Sequence, residues 1–296
     1  MLELRTRRDI IAALRHRGIH LKKSLGQNFL IDHNLLQFIV RAGEVDMSDA
    51  VLEIGAGSGL LTRHLAEAAA HVVSVEVDPR LAELCREHIA GLGNVSLLLC
   101  DALESKSRLN PAVLAAVESA LHDGPARRLK CIANLPYAIG SIVIPLLLES
   151  SLPVQLMVFS VQKEVADRLA AGPGSKDYGA LSVIVQAHAR IQIIRLLGPK
   201  VFFPEPKVDS AIVRIEPTGE RMGTIRNYDS FAELTRGLFS YRRKKVTSAL
   251  AHAERFTASR ERLTQAMARA GIGEESRADQ LSVDQIIRLA NELERE

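Results

Sequence analysis

Asn134-Leu135-Pro136-Tyr137 is the stretch whose residue types best fit a chemical problem. An aromatic amine is a poor nucleophile, because its lone pair is delocalised into the ring. The Asn134 side-chain oxygen and the Leu135 carbonyl can accept the two hydrogens of such an amine. Pro136 stiffens the turn that aims these acceptors, and Tyr137 offers a ring on which an extruded base can stack. Transfer of a sulfonium methyl to an amine held this way needs placement and electrostatics, not a strong general base. The same four residues also describe an ordinary turn with a buried tyrosine, so the surroundings decide.

The surroundings form a nucleoside-binding pattern. A short apolar run, 50–54, leads into Gly55-Ala56-Gly57-Ser58-Gly59. Glycines at alternate positions allow a sharp turn and close approach of backbone to ligand. A dinucleotide fingerprint places its third glycine one residue later, where this chain has Leu60, which counts against a nicotinamide-dependent oxidoreductase. The next apolar run ends at Glu76, a carboxylate that can accept both ribose hydroxyls, and the third ends at Asp101-Ala102, which can face an adenine amino group. The fourth ends at Asn134. Open α/β sheets bind ligands at the carboxyl ends of consecutive strands, so these residues fall where a nucleoside cofactor would lie.

The elements needed to position them are legible from periodicity. Strands are expected at 50–54, 71–77, 95–100, 129–133, 154–161, 190–197 and 210–215, and helices at 60–70, 111–121 and 139–149, with another opening at Pro79. Strand–helix alternation implies a parallel sheet covered on both faces, and the last two strands, close in sequence, could include an antiparallel member. Upstream, residues 3–17 have helical spacing, and Asp32 reads as the N-cap of a helix reaching Ala42. The rhythm stops near Pro217. From Tyr228 onward the pattern is helical only. The expected organisation is an α/β domain over 1–217, whose first 31 residues form a basic segment and a loop, and an all-α domain over 228–296.

Composition narrows the class. An apolar fraction of 47% is ordinary for a globular chain and excludes disordered and fibrous classes. The apolar run 142–148 is short and contains Pro145, so no membrane span is expected. No secretory signal is evident, and Glu3 and Asp9 interrupt what would otherwise resemble an Arg-rich transit peptide. Cys85, Cys100 and Cys131 lack paired spacing and read as reduced core residues of a cytoplasmic protein, and the histidines show no metal-ligand spacing. Net charge is only +3, but residues 1–25 carry Arg5, Arg7, Arg8, Arg15, Arg17, Lys22 and Lys23 against two acids. Arg242-Arg243-Lys244-Lys245 forms a second cluster, with Arg236 shortly before it. Such clusters suit a polyanion, although either alone is commonly a solvated face.

With these residues in view, the chain resembles the KsgA/RsmA family of small-subunit ribosomal RNA adenine N6,N6-dimethyltransferases. The matching blocks are Lys23-Ser24-Leu25-Gly26-Gln27-Asn28-Phe29-Leu30, 53–59, 134–137, the run 162–169 beginning Gln162-Lys163-Glu164, and Phe202 onward through Pro206-Lys207-Val208-Asp209-Ser210. The resemblance implies a Rossmann-like class I methyltransferase domain with a mostly parallel seven-stranded sheet, and S-adenosylmethionine as cofactor. It implies that Gln27, Asn28 and Leu30 cover the methionine end, and that Gly55 and Gly57 approach by backbone. Glu76 would hold the ribose, Asp101 and Ala102 face the adenine, and Asn134 touch both cofactor and target. The target adenine would sit between Tyr137 and Phe202. The implied substrate is a pair of adjacent adenosines near the 3′ end of 16S rRNA in the immature 30S subunit, bound by a monomer. Arg236, Arg242, Arg243, Lys244 and Lys245 would grip the RNA. Residues 104–128 are longer than the family norm, and the helix after the tetrapeptide is unusually apolar. Two relatives compete: large-subunit adenine methyltransferases of the macrolide-resistance type, which share the catalytic parts and against which the 172–183 stretch speaks, and mitochondrial transcription-factor-like binding proteins derived from this fold, against which the intact 134–137 motif argues although such relatives can retain it.

Overall fold

Seven strands form one sheet in a computed structural model of the chain: β1 (Asp49–Ile54), β2 (His71–Glu76), β3 (Val95–Leu99), β4 (Arg128–Asn134), β5 (Val154–Gln162), β6 (Ala189–Leu197) and β7 (Ser210–Pro217). Their spatial order is β3-β2-β1-β4-β5-β7-β6. The pairs β1–β2, β1–β4, β2–β3 and β4–β5 are parallel, and β7 runs antiparallel to β5. All seven expected strands are present, and the antiparallel member is the last. The structure describes residues 4, 6–21, 26–251 and 260–294. Glu3, Arg5, Lys22, Lys23, Ser24 and Leu25 lie outside the described residues.

Local chemistry explains the elements flanking the site. Asp32 caps helix His33–Ala42 by accepting from the N–H groups of Asn34 and Leu35. Asp78 does the same for helix Pro79–His88, whose first residue is proline, a position where its missing N–H costs nothing. Helix Arg7–His16 is closed by a capping box between Thr6 and Asp9, and buries Ile10 and Leu14 in the core shared by Leu36, Ile39, Ile132 and Val158. At the other end of the central strands, the Asp49 carboxylate, fully buried, pairs with Lys130 at 2.9 Å and with Arg128 at 2.8 Å. That ion cluster joins the starts of β1 and β4, so their far ends, at Gly55 and Asn134, emerge side by side.

The chain divides into two compact units, 1–166 with 192–216, and 167–191 with 217–296. This differs from the expected boundary: residues 167–191, read as part of the α/β domain, belong to the helical unit. The reason is burial. Tyr178, Val183 and Ala187 share a core with Phe231, Leu234, Leu238, Ile286 and Ile287, and the Tyr178 hydroxyl donates to the Leu281 carbonyl at 2.9 Å. Helix Ala180–His188 had no counterpart in the sequence reading. The segment between β3 and β4 contains a small hairpin, Leu103–Ser105 against Arg108–Leu109, before helix Pro111–His122.

Candidate active site

The carboxyl ends of β1, β2 and β4 line a cleft with roughly 550 Å³ of space, part of it open to solvent, a size suited to a small organic ligand. Its walls include Gln27, Asn28, Gly55, Gly57, Glu76, Asp101, Ala102, Asn134 and Pro136. The structure therefore brings together every expected cofactor residue except Leu30. The Leu30 side chain is buried in the core, because residues Phe29–Leu30 form a two-stranded antiparallel ribbon with Phe202–Phe203.

Glycine is required at two places in this cleft. Gly57 has φ +57°, and a Cβ there would meet the Phe29 ring at 2.8 Å. Gly26 has φ +64°, and its Cβ would lie 2.7 Å from the Tyr137 nitrogen and 2.9 Å from that of Ala138. At that point the covering segment presses backbone to backbone on the Asn134–Tyr137 turn, which no side chain would permit.

Glu76 is buried. Its two oxygens accept the N–H groups of Gly57 at 2.8 Å and Asp78 at 2.9 Å, which fixes the carboxylate at the cleft wall while each oxygen keeps further acceptor capacity. Burial raises its pKa above the usual carboxylate value, against those hydrogen bonds. Behind it, Glu53 is fully buried and accepts from the Thr62 and Ser74 hydroxyls, each at 2.6 Å. Desolvation pushes Glu53 up to about 8. Asp101 is exposed and uses one oxygen to accept the Leu103 N–H at 2.9 Å. Cys100 also lines the cleft, and Cys85 and Cys131 are buried thiols.

Asn134 is the decisive side chain. Its Nδ2 donates to the Asn28 carbonyl at 2.7 Å, which fixes the amide's orientation. Its Oδ1 is then a buried acceptor with no hydrogen-bond partner among the described residues. A buried polar atom left unpaired costs about 1–3 kcal/mol, so this atom is poised for a donor that arrives from outside. The Tyr137 hydroxyl bonds to the Ser210 hydroxyl, and burial raises the Tyr137 pKa, which keeps the ring neutral.

A second cleft adjoins the first through Gly26, Gln27 and Asn28 and is lined by Tyr137, Gln162, Pro204, Glu205, Pro206, Lys207 and Val208. Phe202 does not line it. That residue is 0% exposed, and its ring meets Tyr137 edge-on, with centroids 6.4 Å apart at 71°. The expected sandwich, which needs two parallel rings, is not formed, because pairing with Leu30 turns the Phe202 ring into the core. Sequence reasoning also gave no role to Phe29, Gln162 or Glu205, since proximity to a cleft leaves no local trace; the proline-punctuated 202–206 stretch was the available hint.

The basic run of the helical unit also differs from expectation. Residues 242–245 form a turn between helices Tyr228–Ser240 and Val246–Leu250, not a helical segment. Arg242 donates to the Lys176 carbonyl at 2.8 Å and faces Asp279, while Lys245 pairs with Glu275 at 2.6 Å. Arg236, Arg243 and Lys244 are exposed. Among the described residues no group of three or more His, Cys, Asp or Glu could hold a metal ion, and no helix is long and apolar enough to cross a membrane.

Comparison with known proteins agrees with this geometry. The family model described as ribosomal RNA adenine dimethylase matches residues 18–295. A ribosomal RNA small subunit methyltransferase A from Latilactobacillus sakei is 39% identical over 281 residues, covering 94% of this chain and 91% of that protein. One from Halothermothrix orenii is 37% identical, covering 95% and 90%. Among solved structures, a dimethyladenosine transferase from Plasmodium falciparum aligns with TM-score 0.70 at 24% identity, over 88% of this chain and 95% of that one. The 23S rRNA methyltransferase ErmE aligns with TM-score 0.65 at 26% identity, over 90% and 100%. The fold is that of a class I, S-adenosylmethionine-dependent methyltransferase.

Proposed function

Because the chain belongs to the ribosomal RNA adenine dimethylase family, we propose that it transfers methyl groups to the N6 amines of two adjacent adenosines near the 3′ end of 16S rRNA, in the immature 30S subunit. The observation that carries this reading is the Asn134 amide, pinned at Nδ2 and open at Oδ1. A donor to Asn28 on one side leaves only an acceptor on the other, and an exocyclic amine supplies the hydrogens it needs. The glycine cradle and the buried Glu76 fit a nucleoside cofactor, and S-adenosylmethionine supplies the electrophilic methyl when bound. Asn134 Oδ1, with the Leu135 carbonyl, orients the N6 lone pair toward the cofactor cleft. After one methylation a single N–H remains, and Asn134 Oδ1 still has a hydrogen to accept, so the same geometry serves the second round. Tyr137 supports the base, while the covering segment from Gly26 excludes water.

Arg236, Arg243 and Lys244, with Arg8 and Arg15 of helix Arg7–His16, are the cations we assign to RNA phosphates, with Arg242 and Lys245 in a structural role. We place the enzyme in the cytoplasm as a monomer whose methylation contributes to small-subunit biogenesis. The small-subunit reading is favoured over the large-subunit one because curated relatives at 37–39% identity over more than nine-tenths of this chain are ribosomal RNA small subunit methyltransferases A. Labelled methyl transfer to unmethylated 30S and 50S particles tests it. Incorporation into 30S at adjacent adenosines is expected; incorporation into 50S alone overturns it.

A further inference from the structure

The strand register places a second carboxamide beside the first. Asn134 on β4 pairs with Ser160 on β5, and side chains alternate faces along a strand. Asn134, Ser160 and Gln162 therefore share one face of the sheet, with Gln162 roughly 6.6 Å beyond Ser160 along the strand. Ser160 is fully buried, and its hydroxyl has no hydrogen-bond partner among the described residues. Gln162 is only partly buried and lines the second cleft with Tyr137. Among the described residues its carboxamide is likewise without a hydrogen-bond partner. This face also carries Glu53, Lys130 and Ser210; on it Ser160 is a buried polar group left unsatisfied by protein and Gln162 is a carboxamide open to the cleft, a pairing that points to a polar ligand.

We propose that Gln162 is a specificity-determining residue that donates from its side-chain nitrogen to a ring nitrogen of the target adenine, N1 or N7. The inference rests on the second cleft taking the base whose amine faces Asn134. Holding N6 alone does not distinguish adenine from cytosine, because both carry an exocyclic amine. Adenine presents an acceptor nitrogen on each side of that amine, whereas cytosine matches only the N1 side, with its N3; a neutral donor at N7 therefore separates adenine from cytosine, and one at N1 separates it from bases that carry N–H there. Gln162 suits this role better than its charged neighbours. Lys207 is exposed, and Glu205 already accepts from Arg7 at 3.3 Å. Glutamine pairing with an adenine edge is a common recognition mode.

The test uses small-subunit particles reconstituted with 16S rRNA whose 3′ segment is synthetic and carries adenosine, 1-deazaadenosine or 7-deazaadenosine at the target. The full-length enzyme should methylate one of the two deaza substrates about 10- to 100-fold more slowly than adenosine. Gln162→Met, of similar length and without a donor, should fall by a similar factor on adenosine and show no further loss on that same analogue. Its affinity for S-adenosylmethionine, measured by calorimetry, should match wild type, which establishes that the variant is folded. Gln162→Met that keeps the wild-type discrimination, or wild type indifferent to both analogues, overturns the assignment. Wild type inactive on adenosine particles removes the underlying reading, a distinct failure that takes this inference with it.

Discussion

Asn134→Ala separates the two jobs the structure gives one amide. Its Nδ2 makes a single neutral hydrogen bond, to Asn28, at 2.7 Å. Losing such a bond costs about 0.5–1.5 kcal/mol, so the melting temperature should fall by roughly 1–6 °C and cofactor affinity by no more than about tenfold. Its Oδ1 is a preorganised acceptor in a site that excludes water, and removing one such group typically costs about 100- to 1000-fold in turnover. Turnover should thus drop far more than stability, cofactor affinity or RNA affinity. Asn134→Asp is the informative companion. It retains an oxygen for the amine but has no donor for the Asn28 carbonyl, and instead faces it with a second acceptor. That variant should weaken cofactor binding more than Asn134→Ala does. Single-turnover methyl transfer at saturating RNA, with calorimetry for the cofactor and thermal denaturation alongside, reads each quantity separately. Turnover of Asn134→Ala within tenfold of wild type, or a loss confined to the KM for RNA, would refute the mechanism.

Three further outcomes follow from other residues. Glu76→Gln should weaken S-adenosylmethionine binding, and wild-type affinity should fall on acidification at a pH above the ordinary carboxylate range, because the burial-raised pKa protonates the acceptor early; unchanged affinity in calorimetry removes Glu76 as ribose ligand. Burial raises the folded-state pKa of Glu53 to about 8 from the ordinary 4.5, so the native state keeps a proton that the unfolded chain releases between those values. This contribution to stability is complete below the lower value, declines by roughly 1 kcal/mol per pH unit as pH rises, and is gone above the upper one; Glu53→Gln should flatten that slope in urea titrations, and an unaltered slope means Glu53 is ionised in the fold. Neutralising Arg236, Arg243 and Lys244 together should reduce the salt dependence of RNA binding by about two units if all three touch phosphate, with cofactor affinity unchanged, whereas an unchanged slope marks them as a solvated face.

The parts of this protein that local chemistry controls were readable before folding. The seven strands announce themselves as short apolar runs, and the Gly55–Gly59 turn, Glu76, Asp101 and Asn134 each end one of them. Asp32 and Pro79 mark helix starts by capping rules that act within one turn. The parts controlled by distant partners were not. Helix Ala180–His188 carries Val183-Ile184-Val185, a β-branched run with weak helix propensity that gave no helical signal of its own, and its place is set by packing with Tyr178 and Phe231. Arg242 and Lys245 look like free cations until Asp279 and Glu275 arrive from some 30 residues away.

Phe202 makes the same point inside the site. Its alignment with a stacking aromatic was visible, but its orientation depends on a ribbon whose other strand lies far away in sequence, at Phe29–Leu30. That ribbon also ties the two clefts together. The covering segment holds the Asn134 amide through the Asn28 carbonyl, and one residue later its backbone begins pairing with the strand that carries Phe202. Ile31 extends the pairing by donating to the Val201 carbonyl at 3.0 Å. A base cannot be clamped by Phe202 unless this strand shifts, and a shift there pulls on the segment that orients Asn134. The acceptor for the amine and the aromatic wall for the base are thus parts of one hydrogen-bonded piece of backbone.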